Sequence, residues 1–427
     1  MWGAEAPSAP GAEEADRALL LDSPSLAHLA PAIVGGERLR AADLLRRPLE
    51  FCAPPDPTAA LLRARASNPA PHPQGVGLRL LSWNLALLDV RIFGRVYKQS
   101  PWLEQRRPVV FERLLGSGAD LLLLQELWQP PEIRLLDRLA SASGYRLFCP
   151  PREARDGLAI LLREGQWTGE VQVELRPYEV QDRQEALSFP GKEPILRSFL
   201  RLSFEHPRLG PLSLFDTHMQ AFPAAWLHRM VQSRRLGLEV ARRPPEELVL
   251  VGGDLNAAPF YARQTWRRPD GRFDSSWWHN ALSLPLLQHY GGLVDLAVRG
   301  RPAGDADLDV RVARGLDNDP VAALRPPLHG PAGLSEAHLA EQLRAFTATD
   351  LNRLYHEQYA GTEQPARLDH LLARDPDGRI HVCASRHRFL EREVGTPQGP
   401  VEPSDHFAVE VELRVAPQDR PPSPEQP

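Results

Sequence analysis

The chain of 427 residues reads as an α/β protein in which two packed β-sheets are flanked by helices. Two observations carry this. Short apolar runs of strand length recur along the chain, and few helical patterns separate them. Hydrophobic residues make up 42% and charged residues 25%, the balance of a globular domain with a sizeable core.

Residues 1 to about 75 are rich in Ala, Pro and Arg. The part from Pro24 to Arg65 holds enough Leu and Ala for short helices. Asn68 to Gly77 (NPAPHPQGVG) reads as a linker, because proline and glycine break regular structure there. A folded domain is expected over 76–415. LRLLSW (78–83), DLLLLQ (120–125), GLAILL (157–162), LSLFDT (212–217) and LVLVGG (248–253) read as buried strands. LRSFLRLSF (196–204) and FAVEVEL (407–413) alternate apolar with polar residues, as half-exposed strands do. Glu104–Leu115, Glu132–Ala142 and Ala224–Ala241 carry apolar residues at helical spacing. Residues 299–366 fit this rhythm poorly and read as an insertion near the site, with a helical stretch around Leu334–Tyr359. The tail 416–427 is polar and proline-rich, so it is expected to be disordered.

Composition excludes several classes. The three cysteines, Cys52, Cys149 and Cys383, are odd in number and widely spaced, which argues against a disulfide framework or a zinc site. No run approaches the ~18 apolar residues of a membrane span. The N-terminus is acidic and lacks the basic and apolar regions of a signal peptide, so a cytoplasmic location is expected. The net charge of −5 argues against a non-specific nucleic-acid binder, which needs a basic surface.

Polar clusters recur at strand ends, where loops can present side chains to a ligand. Ser82-Trp83-Asn84 ends the first apolar strand; Asn84 alone could be a turn residue. Gln125-Glu126 ends the next. A carboxylate after a buried run needs a partner, either an arginine or a hard cation such as Mg²⁺. Asp216-Thr217-His218 ends a third strand, though a lone histidine there is often only a satisfied core residue. Gly252-Gly253-Asp254-Leu255-Asn256 ends a fourth. Two apart in extended backbone, Asp254 and Asn256 would point to the same side, one taking a proton and one holding a phosphate oxygen; an Asx turn is the competing reading. Ser404-Asp405-His406 opens the last strand, and Asp369, in Arg367-Leu368-Asp369-His370, could hydrogen-bond the His406 ring and fix its tautomer.

These runs together resemble the endonuclease/exonuclease/phosphatase superfamily, also called deoxyribonuclease I-like. The matching signatures are SWN (82–84), LLLLQEL (121–127), DGLAILLR (156–163), THMQA (217–221), GGDLN (252–256), RLDHLL (367–372) and SDHFAV (404–409), in the family's order. The resemblance implies a four-layer α/β/β/α sandwich and hydrolysis of phosphate esters with Mg²⁺ or Mn²⁺. It implies Glu126 as principal metal ligand with Asn84 beside it and Asp405 in support. Asp254 would orient or deprotonate the attacking water, and Asn256 would hold a phosphate oxygen. His406, oriented by Asp369, would stabilise charge on phosphorus, and His218 would bind a phosphate oxygen or protonate the leaving oxygen.

THMQA further resembles neutral sphingomyelinases, so a phosphodiesterase acting on a phospholipid at a membrane surface, or on a small diester, is the leading expectation. Departures stand at Leu162-Arg163-Glu164-Gly165 and Lys192-Glu193, where those enzymes carry Ser-Arg-x-Pro and Lys-Gly. No clear membrane-docking hairpin is legible, although Trp277-Trp278 and the insertion could supply one. A nuclease, an inositol-type phosphatase and an inactive binding module are the alternatives. Arg234-Arg235 and Arg242-Arg243 fall on a predicted helix, as a solvated face rather than a polyphosphate site. Oligomeric state is not legible.

Overall fold

The computed structural model describes residues 68–92, 95–150, 156–178, 197–221, 225–258, 283–302, 308, 336–359 and 366–417. The expectations for residues 1–67, for Lys192-Glu193, for Trp277-Trp278 and for most of the tail lie outside them.

The first strand, β1, spans Val76–Asn84. There follow β2 (Asp89–Ile92), β3 (Arg95–Gln99), α1 (Leu103–Leu115), β4 (Leu121–Gln125), α2 (Pro130–Ala142), β5 (Tyr145–Phe148), β6 (Ala159–Arg163) and β7 (Thr168–Pro177). Next come β8 (Ser198–His206), β9 (Gly210–His218), α3 (Trp226–Ala241), β10 (Leu248–Asp254), α4 (Ser283–Gly291), β11 (Leu293–Asp295) and α5 (Leu296–Arg299). The described chain ends with α6 (Glu336–Ala345), α7 (Arg353–Tyr359), β12 (Asp369–Arg374), β13 (Ile380–Arg388) and β14 (Ala408–Val415). One six-stranded sheet has the order β13-β14-β1-β4-β6-β5 and the other β11-β12-β10-β9-β8-β7; β2 and β3 form a separate ribbon.

Strand alternation builds the layers. Leu80, Leu121, Leu123, Leu200, Leu214, Leu250 and Leu371 belong to one buried cluster shared by both sheets. Their neighbours Leu81, Leu122 and Leu124 pack instead with Val110, Phe111 and Leu114 of α1 and Leu136 and Ala140 of α2. On the other sheet Phe215, Val249 and Val251 pack with Leu236 and Val240 of α3 and Leu287 of α4. This is the four-layer α/β/β/α sandwich, its central strands such as β4 and β10 buried on both faces and therefore read as apolar runs. Each inward leucine contributes on the order of 2–3 kcal/mol by its burial.

The inward positions change character along each strand. In β1 they run Leu80, Ser82, Asn84; in β4 Leu121, Leu123, Gln125; in β9 Leu214, Asp216, His218; in β10 Leu250, Gly252, Asp254. β1 and β4 are parallel, as are β9 and β10, so these polar ends share one end of the sandwich. β12 runs antiparallel to β10 and β14 to β1, which brings the starts of β12 and β14 to that same end.

The helical stretch expected over Leu334–Tyr359 is two helices, α6 and α7, interrupted at Phe346–Asn352. Thr347, Thr349 and Asn352 there spend their side chains on backbone groups, competing with helix. Arg235 and Arg242 pair with Glu239, and Arg243 with Glu247, so these arginines are spent on ion pairs along and just beyond α3. Cys149 is half-buried and Cys383 exposed. Among the described residues no helix is long and apolar enough to cross a membrane.

Candidate active site

Six of the eight expected site residues, Asn84, His218, Asp254, Asp369, Asp405 and His406, are buried, while Glu126 and Asn256 are half-buried. All eight lie at the polar end of the sandwich.

Asn84 donates its amide Nδ2 to Asp254 Oδ2 at 3.0 Å and approaches Glu126 Oε1 at 3.5 Å. Its Oδ1 accepts from Ala86 N at 3.0 Å. The amide therefore bridges two carboxylates from a turn that it caps itself, so both readings of Asn84 hold. Glu126 follows β4 with φ 60, a conformation that costs a non-glycine residue roughly 1–3 kcal/mol and is characteristic of functional sites. Burial, then the Asp405 and Asp254 carboxylates, push Glu126 up to about 7, against the opposing charges of Arg197 and His406.

β10 reaches Asp254 through Gly253, whose φ is 135 and where a Cβ would stand 1.9 Å from Thr217 O. Only glycine permits β9 and β10 to pair this closely. Asp254 Oδ1 accepts from Asn256 N at 2.8 Å. Burial pushes Asp254 up to about 6, although His406 opposes the shift. The strand ends at Asp254, and Asn256 has φ 49, so of the two readings of this run the Asx turn is the one formed. The Asp254 carboxylate caps the turn, which swings Asn256 away until its Nδ2 meets Met219 O at 3.1 Å.

His406 Nδ1 pairs with Asp369 Oδ2 at 2.7 Å. Burial pushes the imidazole down, but Asp369, Asp254 and Asp405 together hold it well above its ordinary value. Its backbone is fixed by Trp83 Nε1, which donates to His406 O at 2.9 Å. His218 Nε2 lies 3.4 Å from Asp254 Oδ2. Its Nδ1 has no hydrogen-bond partner among the described residues, and burial, Arg197 and His406 hold its pKa well below the ordinary range.

Asp405 Oδ2 accepts from Gln358 Nε2 of α7 at 3.1 Å. Thr347 Oγ1 accepts from Asp369 N at 3.2 Å, and Asn352 Nδ2 donates to Ser404 O at 2.7 Å. The end of the expected insertion thus braces the site directly. Ligand atoms of Asp254, Asp369 and His406 lie within 4.8 Å of one another, a group that could hold a metal ion. It differs from the expected set of Asn84, Glu126 and Asp405, and one of its oxygens already serves the His406 ring.

Two arginines were not legible as site residues. Arg106 of α1 is wholly buried. It donates to Pro101 O and Pro403 O, each at 2.8 Å, to Leu85 O at 3.4 Å and to Ala86 O. It thereby ties the turn after Asn84 to the segment before Asp405. Burial lowers it to about 10 despite Asp405 and Glu126. Its helical position gave no signal beyond a polar residue on an apolar face. Arg197, buried just ahead of β8, is the cation whose charge is felt by Glu126 and His218.

The sequence model of the Endonuclease/Exonuclease/phosphatase family matches residues 81–406, and the chain belongs to that family. It is accordingly an enzyme of the metal-dependent phosphoesterase class. No curated protein matches the chain. The structure is similar to D. rerio TDP2 complexed with single strand DNA product, with 17% identity, 79% of this chain and 99% of that chain covered, and a TM-score of 0.49. It is similar to an endonuclease/exonuclease/phosphatase family protein from Bacteroides thetaiotaomicron, with 17% identity, coverage of 80% and 99%, and a TM-score of 0.48. The human Nocturnin catalytic domain with bound sulfate gives 15% identity, coverage of 80% and 95%, and a TM-score of 0.43. No functional statement rests on these likenesses.

Proposed function

We propose that the protein is a Mg²⁺-dependent phosphodiesterase that cleaves a phospholipid of the sphingomyelin kind, or a small diester, by in-line attack of water. The observation that carries the chemistry is the convergence of Asn84, Glu126, Asp254, Asp369 and His406 from both sheets on one buried end. The lipid reading rests on THMQA at 217–221. The catalytic unit is 76–415, supported by strands that begin at Val76 and end at Val415.

Burial and the Asp405 and Asp254 carboxylates raise Glu126 even against Arg197 and His406, a charge balance that a hard divalent ion would suit. Glu126, with Asn84 and Asp405 beside it, would hold that ion. Bound there, Mg²⁺ supplies positive charge to the phosphoryl oxygens. Asp254, held by Asn84 and the Asn256 amide, is ionised near neutral pH and takes or orients the proton of the attacking water. His406 keeps its proton beside Asp369 and faces the charge that builds on phosphorus. His218 is neutral, so it donates a hydrogen bond to a phosphate oxygen rather than serving as an imidazolium acid. Asn256 would hold a phosphate oxygen with the amide that now donates to Met219 O.

The test is phosphocholine release from sphingomyelin in detergent micelles, with Mg²⁺ and then with EDTA, using His406→Ala as the blank. Mg²⁺-dependent release that the variant lacks is expected. A folded, Mg²⁺-binding protein that releases none sinks the lipid reading and turns the assay to nucleic acids and phosphomonoesters.

A further inference from the structure

Among the described residues, four side-chain hydrogen bonds join the two sheets and their flanking loops at the site end. Two of them, Asn84–Asp254 and His406–Asp369, belong to the reading above. The other two serve no part of it: Gln125 Nε2 donates to Asp216 Oδ1 at 2.6 Å, and Ser198 Oγ donates to Asp156 Oδ2 at 2.8 Å.

Gln125 and Asp216 are both wholly buried. Such a pair is a weak device for stability alone. Burying two polar groups is costly, and apolar groups of the same shape commonly serve as well or better. What the pair supplies is direction. Leucine contacts elsewhere between the sheets do not fix a lateral position, whereas a short hydrogen bond does.

The bond sits where position matters. Gln125 precedes Glu126, and its carbonyl accepts from Leu85 N at 3.0 Å, the residue after Asn84. Asp216 lies two residues before His218 on the same face of β9, beside Gly252 in the β10 register. One end of the bond thus holds the Asn84 and Glu126 turns, and the other the strand pair that ends in His218 and Asp254.

We infer that Asp216 is a positioning residue for phosphoester hydrolysis: through its hydrogen bond to Gln125 it sets Glu126 on one sheet against Asp254 and His218 on the other. This rests on the role proposed for Glu126 above. A misplacement of the order of 1 Å between such groups costs about a hundredfold in rate.

The test replaces both partners by apolar groups of similar size, Q125M with D216L, beside D216N alone, which keeps the acceptor. Calorimetric Mg²⁺ binding and hydrolysis of bis(p-nitrophenyl) phosphate are measured with the full chain. The double variant is expected to melt no lower than wild type, to bind Mg²⁺ roughly 10–100-fold more weakly and to lose about a hundredfold in kcat with KM unchanged. D216N is expected to recover Mg²⁺ affinity and most of kcat. A folded double variant with wild-type affinity and kcat overturns the inference, as does D216N as impaired as the double. A double variant that fails to fold assigns the pair to stability and overturns it equally. Wild-type protein that binds Mg²⁺ without hydrolysing the diester defeats the functional reading, and the calorimetry still decides this one.

Discussion

His406 Nδ1 and Asp369 Oδ2 stand 2.7 Å apart, one ahead of the last strand of the first sheet and the other opening β12 of the second. The pair fixes both the tautomer and the charge of the imidazole. In Asp369→Asn, burial is left to push His406 down without its main opponent. Turnover should fall by about 10²–10⁴ with the fold retained. The sign for pH follows: the raised pKa keeps the imidazolium present into the alkaline range, so its loss moves the alkaline limb of the kcat/KM profile to lower pH. An unshifted limb in a folded variant would remove His406 as the charged group.

Burial, then the Asp405 and Asp254 carboxylates, raise Glu126 in spite of Arg197 and His406, so without metal its ionised form is disfavoured there. Glu126→Gln should be at least as stable as wild type without metal. Wild type should gain about 2.7 kcal/mol at a Mg²⁺ concentration of 100 Kd, and the variant should gain little. Melting curves with and without Mg²⁺ decide it; equal gains in both proteins would place the ion elsewhere.

Arg106 serves four backbone carbonyls from a fully buried guanidinium. A lysine cannot reproduce that fork, and each carbonyl left bare costs about 1–3 kcal/mol. Arg106→Lys is therefore expected to lose about 3–5 kcal/mol in urea denaturation, with reduced turnover because Asn84 and Asp405 lose their shared anchor. A loss under about 1 kcal/mol would show that other contacts hold these segments.

Asp295 and Arg367 form a buried ion pair at 2.8 Å. Burial pushes Asp295 up, but Arg367 and His370 outweigh it and hold the carboxyl well below its usual range. Its stabilisation is present above the unfolded value of about 4 and is lost as pH falls through the lower folded value. Asp295→Asn should cost about 3–5 kcal/mol at neutral pH. Its deficit against wild type should shrink steadily below about pH 4. A deficit constant with pH would mean that shape, not charge, is at stake.

The sequence showed the strands of the inner layers because burial on both faces makes them unbroken apolar runs, as in LLLLQ of β4. It showed the site because each run changes from leucine to a polar residue at the same end. It was silent on β7, whose residues are largely exposed, and on β12, where the site motif masked the strand that it opens. Arg106 was invisible because its partners are main-chain carbonyls from three segments, which no side-chain pattern records. Local sequence left two readings of GGDLN open, and the Asx turn is the one formed, because the strand ends at Asp254, whose carboxylate accepts from Asn256 N.

β1 lies between β14 and β4, and its pairing with β14 runs from Val76↔Val415 to Ser82↔Val409. A strand made near the start of the domain must therefore wait, during synthesis, for one made at its end. Until then the central seam of the first sheet is open and the histidine that completes the site has no address. On the reading proposed above, a chain cut short before the last strand would lack both that seam and the histidine, and is expected to be inert toward phosphate esters.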